Sequence, residues 1–375
     1  MKIGKINSYV LRYPDPNDFG SARMTVLVRV ETSDGAVGWG EGIAMWPEAC
    51  RATAILIEEG LGPLLLQTEN LTVESAWQAM RSHTWWYGEG GIASFALSAL
   101  DMALWDIEGK LAGKSLSELL GSRQVEQLRA TASCHVNKAT LEECVDEVAG
   151  FVASGFRSVK LGFAKKGLSQ IGRDPELDVR FIAALRSQLG PAIEILVDAG
   201  NGVRWDLNTA IRTISQMQEH GIGWIEEPFY PTNLGDYGKL KSTVSVPIAT
   251  GEREWTVTGY KRLIESNTVD IVGVDPARAE GITGFRKIDD ICTQAGLKIN
   301  AHAWSTAITT AASLHLSLAS KNSILFELKP FAVVVQQELV TEPITHTNGW
   351  VRASTKPGLG IEVREDVLSR YIVPR

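Results

Sequence analysis

The chain has 375 residues, too many for one minimal domain and enough for a large core with a smaller companion domain. Its 37 Lys plus Arg against 44 Asp plus Glu give a net charge of -7, which offers no basic surface for nucleic acid and makes recognition of any anionic substrate depend on local cations. Cys50, Cys134, Cys144 and Cys292 lie far apart without metal-type spacing, which fits a reducing compartment and excludes a zinc ribbon.

In chain order, residues 3–13, 24–32 and 36–40 read as strands, the last two flanking Asp34-Gly35, a strong hairpin signal. Between the first two lies YPDPNDFGSA, residues 13–22, whose prolines, glycine and polar side chains predict an exposed loop able to cap a site. From 47 to 121 the pattern turns helical, with an Ala- and Leu-rich run over 92–111 and Gly121 closing the next helix. The opening MKIGKINSYVLRY lacks the apolar core of a signal peptide and no run approaches a membrane span, so no membrane partner and a cytoplasmic location are expected.

Beyond residue 126 short apolar runs alternate with helical stretches, the texture of βα units on a parallel sheet. The runs are 128–133, 158–162, 193–198, 223–226, 248–252, 271–275, 298–302 and 324–327. No Gly-rich dinucleotide fingerprint follows any of them, and eight units in roughly 200 residues match a (β/α)8 TIM barrel. The expected division is an α+β N-terminal capping domain over 1–125, the barrel over 126–340, and a segment over 341–375 that returns to the cap.

Seven of the eight predicted strands end in an ionisable side chain: Lys160, Asp198, Glu226, Glu252, Asp275, His302 and Glu327. Spaced by about one βα unit each, they converge on the C-terminal mouth of the barrel, where barrel enzymes carry their active sites. Asp198, Glu226 and Glu252 crowd like charges that require a compensating cation. Oxygen ligands alone favour a hard divalent ion such as Mg2+ over zinc. The competing structural reading of Glu226-Glu227-Pro228 is a buried salt bridge to barrel lysines.

The residues also carry a family resemblance. WGEG at 39–42, SALDMALWDIEGKLAGKSLSELLG at 98–121, SVKLG at 158–162, VDAGNG at 197–202, WIEEP at 224–228, TGE at 250–252, VDPARAEGITG at 274–284 and AHAW at 301–304 resemble the mandelate racemase branch of the enolase superfamily. The resemblance implies a capping domain built from both chain ends and Mg2+ held by Asp198, Glu226 and Glu252. It further implies Lys160 as acid/base on one face, His302 paired with Asp275 on the other, Glu327 hydrogen-bonding the substrate carboxylate, and a homo-oligomer. Proton abstraction next to a carboxylate, by a Lys or His base beside Mg2+, is the chemistry already known for that superfamily. A general base contributes only about 10²- to 10⁴-fold, so Lewis-acid stabilisation must supply much of the rest. Glu327 can donate only if protonated, which burial beside carboxylates would favour.

Two positions depart from the pattern: Ser158 stands where the branch has the first lysine of K-x-K, and Gly200 stands two residues after Asp198 where a polar residue is common, with Asn201 displaced by one. Lys and His on opposite faces permit 1,1-proton transfer and β-elimination alike; since most of the resembling branch with such a pair acts on sugar acids, the resemblance implies dehydration of an aldonate or aldarate to a 2-keto-3-deoxy acid. The alternatives are racemisation or epimerisation of a 2-hydroxy acid, cycloisomerisation of a sugar-acid lactone, and a non-catalytic binding protein on the same fold. Arg23, Trp46, Arg253, Trp304 and Lys329, with Trp85, Trp86 and Tyr87, are the candidates for contact with a small-molecule carboxylate substrate. His83, His135, His220, His315 and His346 carry no comparable constellation.

Overall fold

The computed structural model describes residues 1–121, 123–200 and 202–374. Three antiparallel strands open the chain: β1 (Ile3–Pro14), β2 (Ala22–Thr32) and β3 (Val37–Met45). The β2–β3 turn is made at Asp34-Gly35, where Gly35 takes a φ of +91° and donates to the Thr32 carbonyl at 3.0 Å. β3 runs five residues past the expected end at Gly40, and its glycines explain why. A Cβ on Gly38 or Gly40 would sit 2.1 or 1.9 Å from the carbonyl oxygens of Ala103 and Ala99. Their absence lets the helix Ile92–Ala112 lie directly on the strand, while the alternate residues Trp39, Glu41 and Ile43 face the barrel.

Among the described residues eight parallel strands follow: β4 (Leu128–His135), β5 (Ser158–Gly162), β6 (Glu194–Asp198), β7 (Ile222–Glu226), β8 (Ile248–Thr250), β9 (Ile271–Val274), β10 (Lys298–Ala301) and β11 (Phe326–Leu328). They hydrogen-bond in chain order from β4 to β10, and β11 returns to pair with β4. The Ile299 N–H donates to the Asn322 carbonyl at 3.2 Å and Ile299 bridges Ser323, joining β10 to the approach to β11. The (β/α)8-type barrel with an α+β cap is therefore the observed fold.

Side-chain alternation sorts the strands into two layers. Val159, Leu161, Ile195, Val197, Ile225 and Phe326 pack outward against the helices. Leu196, Trp224, Ala249, Ile271 and Leu325 fill the barrel interior.

One expectation is corrected and the path of the last segment is refined. The 13–22 segment is not simply an exposed loop: it holds a short 3-10 turn (Pro16–Asp18), its Asp15 and Asn17 are buried, and the His135 N–H donates to Asn17 Oδ1 at 2.8 Å. The segment after 341 first joins the barrel, because β12 (His346–Thr347) and β13 (Trp350–Val351) form a hairpin whose second strand pairs with Leu128 and Arg129 of β4. Only then does it reach the cap, where Leu359 N–H donates to Asp106 Oδ1 at 2.9 Å and Val373 N–H to the Val10 carbonyl at 2.9 Å. Among the described residues no helix is long and apolar enough to cross a membrane, and the four cysteines are buried and unpaired.

Candidate active site

The same alternation that turns Leu196 and Trp224 inward turns Asp198 and Glu226 inward two residues later, at the C-terminal ends of β6 and β7. Register makes them neighbours, since Asp198 and Glu226 are direct partners across the ladder. Glu252 follows β8 by two residues. Lys160 lies inside β5, two residues after the inward Ser158, and is only 3% exposed.

Its ammonium stands among the carboxylates, with Nζ 2.6 Å from Glu226 Oε2, 3.0 Å from Glu327 Oε1 and 3.9 Å from Asp198 Oδ2. Burial works against the charge on Lys160, yet Glu226, Glu327 and Asp198 together hold it well above the ordinary lysine range. Glu327 accepts from Lys160 Nζ, from Ser133 Oγ at 2.8 Å and from Asn300 Nδ2 at 2.6 Å. Three polar side chains from neighbouring strands thus converge on this one carboxyl group.

The second flank is built around His302, which directly follows β10. Its Nδ1 lies 2.6 Å from Asp275 Oδ2 and its Nε2 3.3 Å from Glu252 Oε2. Asp275 is fully buried and also accepts the Ala277 N–H at 2.8 Å, so it is a fixed acceptor. That places the Nδ1 proton toward Asp275 and turns Nε2 to the cavity. Burial opposes ionisation of Glu252, but His302, Arg278 and Arg253 hold its carboxyl well below the usual range. Arg253 itself is tied to Glu227 Oε2 at 2.9 Å.

The donor chemistry fits a hard divalent cation. Asp198, Glu226 and Glu252 supply carboxylate oxygens from or just after three adjacent strands. Glu226 Oε2 accepts no hydrogen bond of ordinary geometry among the described residues, though a buried carboxylate needs a cationic partner. Lys160 meets that need here as a cation of the chain's own. Among the described residues no three His, Cys, Asp or Glu side chains already converge as a closed cage.

Lys160, Asp198, Glu252, His302 and Glu327 line a cavity of about 340 Å³, with Glu226 and Asp275 set behind them. Of the expected contact residues, Arg23, Arg253 and Trp304 line it, and Arg23 is held by Asp15 at 3.1 Å and Asp18 at 3.4 Å. Lys329 lies beneath, its Nζ 2.8 Å from Asp15 Oδ2 and 4.7 Å from the centroid of the Trp304 ring. Trp46, Trp85, Trp86 and Tyr87 are exposed and lie outside the lining. Asn201 lies outside the described residues. His135, set aside on sequence, does line the cavity, stacked on Trp304 with centroids 5.1 Å apart. Burial, with Lys165 and Arg23 nearby, pushes it down to about 3 and keeps it neutral. Met45, Lys165 and Arg278 also line the cavity; of these only Arg278, within VDPARAEG, lay in a motif.

Residues 19–121 match the mandelate racemase / muconate lactonizing enzyme N-terminal domain, and residues 143–367 match the enolase C-terminal domain-like model. The chain belongs to the mandelate racemase / muconate lactonizing enzyme family of the enolase superfamily. Family members similar to it along their whole length include the D-galactarolactone cycloisomerase of Agrobacterium fabrum, 31% identical over 100% of both chains. The arabinonate dehydratase of Saccharolobus solfataricus is 31% identical over 98% of this chain and 99% of that protein. Among solved structures, a Streptomyces coelicolor A3(2) racemase with bound magnesium superposes with a TM-score of 0.88 at 26% identity, covering 99% of this chain and 100% of that one. These relatives are thus enzymes, acid-sugar dehydratases on the one hand and cycloisomerases of a sugar lactone or an anhydro sugar acid on the other.

Proposed function

We propose that this protein is a Mg2+-dependent hydro-lyase that dehydrates an acid sugar, an aldonate or aldarate, to its 2-keto-3-deoxy acid. One observation carries the reading: a single cavity holds Lys160 at the Asp198–Glu226 end of a carboxylate row and the His302–Asp275 pair at its Glu252 end. Asp198, Glu226 and Glu252 would hold the ion, which when bound supplies Lewis-acid stabilisation of charge on the substrate carboxylate.

In this reading the hold of Lys160 on its proton depends on Glu226 and Asp198 and would weaken were those carboxylates to hold the ion. Lys160 in its neutral form takes the alpha proton, and the electron pair left on carbon expels the 3-hydroxyl. His302 gives its Nε2 proton to that hydroxyl, which leaves as water, and the enol product tautomerises to the keto acid. Asp275 keeps the imidazole oriented and stabilises its cationic form before transfer. Glu327, with Ser133 and Asn300 on it, fixes the position of Lys160. The division into a cap over 1–125, a barrel over 126–340 and a returning segment over 341–375 belongs to the same reading.

The full-length likeness to a D-galactarolactone cycloisomerase supports a second reading, in which the same two groups move protons during rearrangement of a lactone. A screen of mono- and diacid sugars and their lactones with Mg2+ in D2O separates the two. Formation of 2-keto-3-deoxy acid from an open-chain acid is the expected result; turnover of lactones alone would replace the dehydratase with the cycloisomerase.

A further inference from the structure

Lys165 belongs to the connection after β5, and two glycines, Gly162 at the end of β5 and Gly200 two residues past β6, make room for it. A Cβ on Gly162 would fall 2.9 Å from Lys165 Cε, and one on Gly200, whose φ is +50°, would fall 2.4 Å from Lys165 Nζ. The side chain so seated lines the active-site cavity with its Nζ 3.9 Å from Asp198 Oδ1, while Lys160 lies 3.9 Å from the other oxygen of the same carboxylate. The remaining buried or half-buried cations of the cavity are committed. Arg253 lies 2.9 Å from Glu227, Arg23 3.1 Å from Asp15, Lys160 2.6 Å from Glu226, and Arg278 donates to the Glu252 carbonyl at 3.0 Å. Ser158, two residues before Lys160, adds no charge, and its hydroxyl is 2.5 Å from that of Thr131. Lys165 therefore holds the loosest ion pair among these cations while facing the space a substrate would fill.

We propose that Lys165, seated in the slot opened by Gly162 and Gly200, binds the carboxylate of the substrate. The inference rests on the carboxylate-substrate reading above and adds a residue that no strand-end pattern marks. An ammonium–carboxylate hydrogen bond of this kind changes affinity by about 10- to 100-fold. Gly200 is part of the device, since a methyl group there would meet the ammonium and displace it.

The test is calorimetric titration of the Mg2+-loaded protein with tartronate, an unreactive 2-hydroxy diacid, in the wild type, Lys165→Met, Gly200→Ala and the double variant. Lys239→Met, whose exposed ammonium pairs with Asp236 Oδ1 at 3.2 Å outside the cavity lining, serves as the charge control. Lys165→Met and Gly200→Ala are each expected to weaken tartronate by about 10- to 100-fold, with the double variant no weaker than the worse single, and Lys239→Met to stay within about threefold. With a turned-over acid sugar, Lys165→Met is expected to raise KM with kcat nearly unchanged, a split that a merely structural role would not produce. Tartronate affinity of Lys165→Met within about threefold of wild type, or no binding by the wild type, would overturn the role of Lys165. Strong, Lys165-dependent tartronate binding without keto-acid formation from any acid sugar would instead defeat the dehydratase reading and leave Lys165 in place.

Discussion

Glu41 on β3 accepts a 2.6 Å hydrogen bond from the hydroxyl of Thr309, 268 residues further along the chain. The same buried carboxylate accepts from Thr306 Oγ1 at 2.6 Å and Thr25 Oγ1 at 2.8 Å, and from the Ser305 hydroxyl. It thereby pins the cap to the segment that follows His302 and carries Trp304. Glu41→Ala leaves several buried donors without an acceptor and is expected to cost ~3 kcal/mol or more. Denaturant unfolding would measure the loss; a variant as stable as wild type would deny Glu41 this role.

Lys160 and the proposed ion neutralise the same carboxylates. Without a divalent ion, Lys160→Ala strands buried charge on Glu226 and Glu327 and is expected to destabilise the fold by about 3–5 kcal/mol. Mg2+ should then raise the melting temperature of the variant more than that of the wild type, because binding to the folded state alone stabilises it. Differential scanning calorimetry with and without Mg2+, after exhaustive chelation, decides the point. Equal shifts in both proteins would argue against carboxylates shared by the two cations.

His302→Asn removes the proton donor and is expected to lower kcat by about 10²- to 10⁴-fold with the fold intact. Asp275→Asn should approach that loss, since an amide oriented toward Nδ1 no longer fixes the proton there or stabilises the imidazolium. Steady-state rates on the best acid sugar provide the measure. Wild-type rates in Asp275→Asn would show that the 2.6 Å contact has no part in proton transfer.

His135 sets a pH dependence with a definite sign. Its folded value near 3 lies below the ordinary 6.5, so the folded protein excludes a proton that the unfolded chain accepts. Its contribution is complete above about pH 6.5 and declines toward pH 3, by up to ~1.4 kcal/mol per pH unit for one proton. Replacing it by Gln should flatten the stability profile between those limits. Unfolding curves at pH 4 and 7 with the same difference in both proteins would exclude His135 as a source of acid sensitivity.

Much of this site was legible in the sequence because period-two alternation and the βα repeat fix where a strand ends and which way its last residue points. Asp198 and Glu226 are inward because Leu196 and Trp224 are inward two residues earlier. His302 and Asp275 follow equally directly from short apolar runs that stop at a polar residue.

Only the tertiary structure decided what lies between the elements. Side chains on loops obey no period, so nothing in the sequence placed Lys165 beside Asp198, stacked His135 on Trp304, or sank Lys329 onto Asp15 while leaving Trp46 and Trp86 in solvent. Nor could strand pattern foretell the partners of Glu327, since Lys160, Ser133 and Asn300 reach it from three other strands. Strand ends are set by local pattern; partners across the cavity are set by closure of the barrel and the docking of the cap upon it.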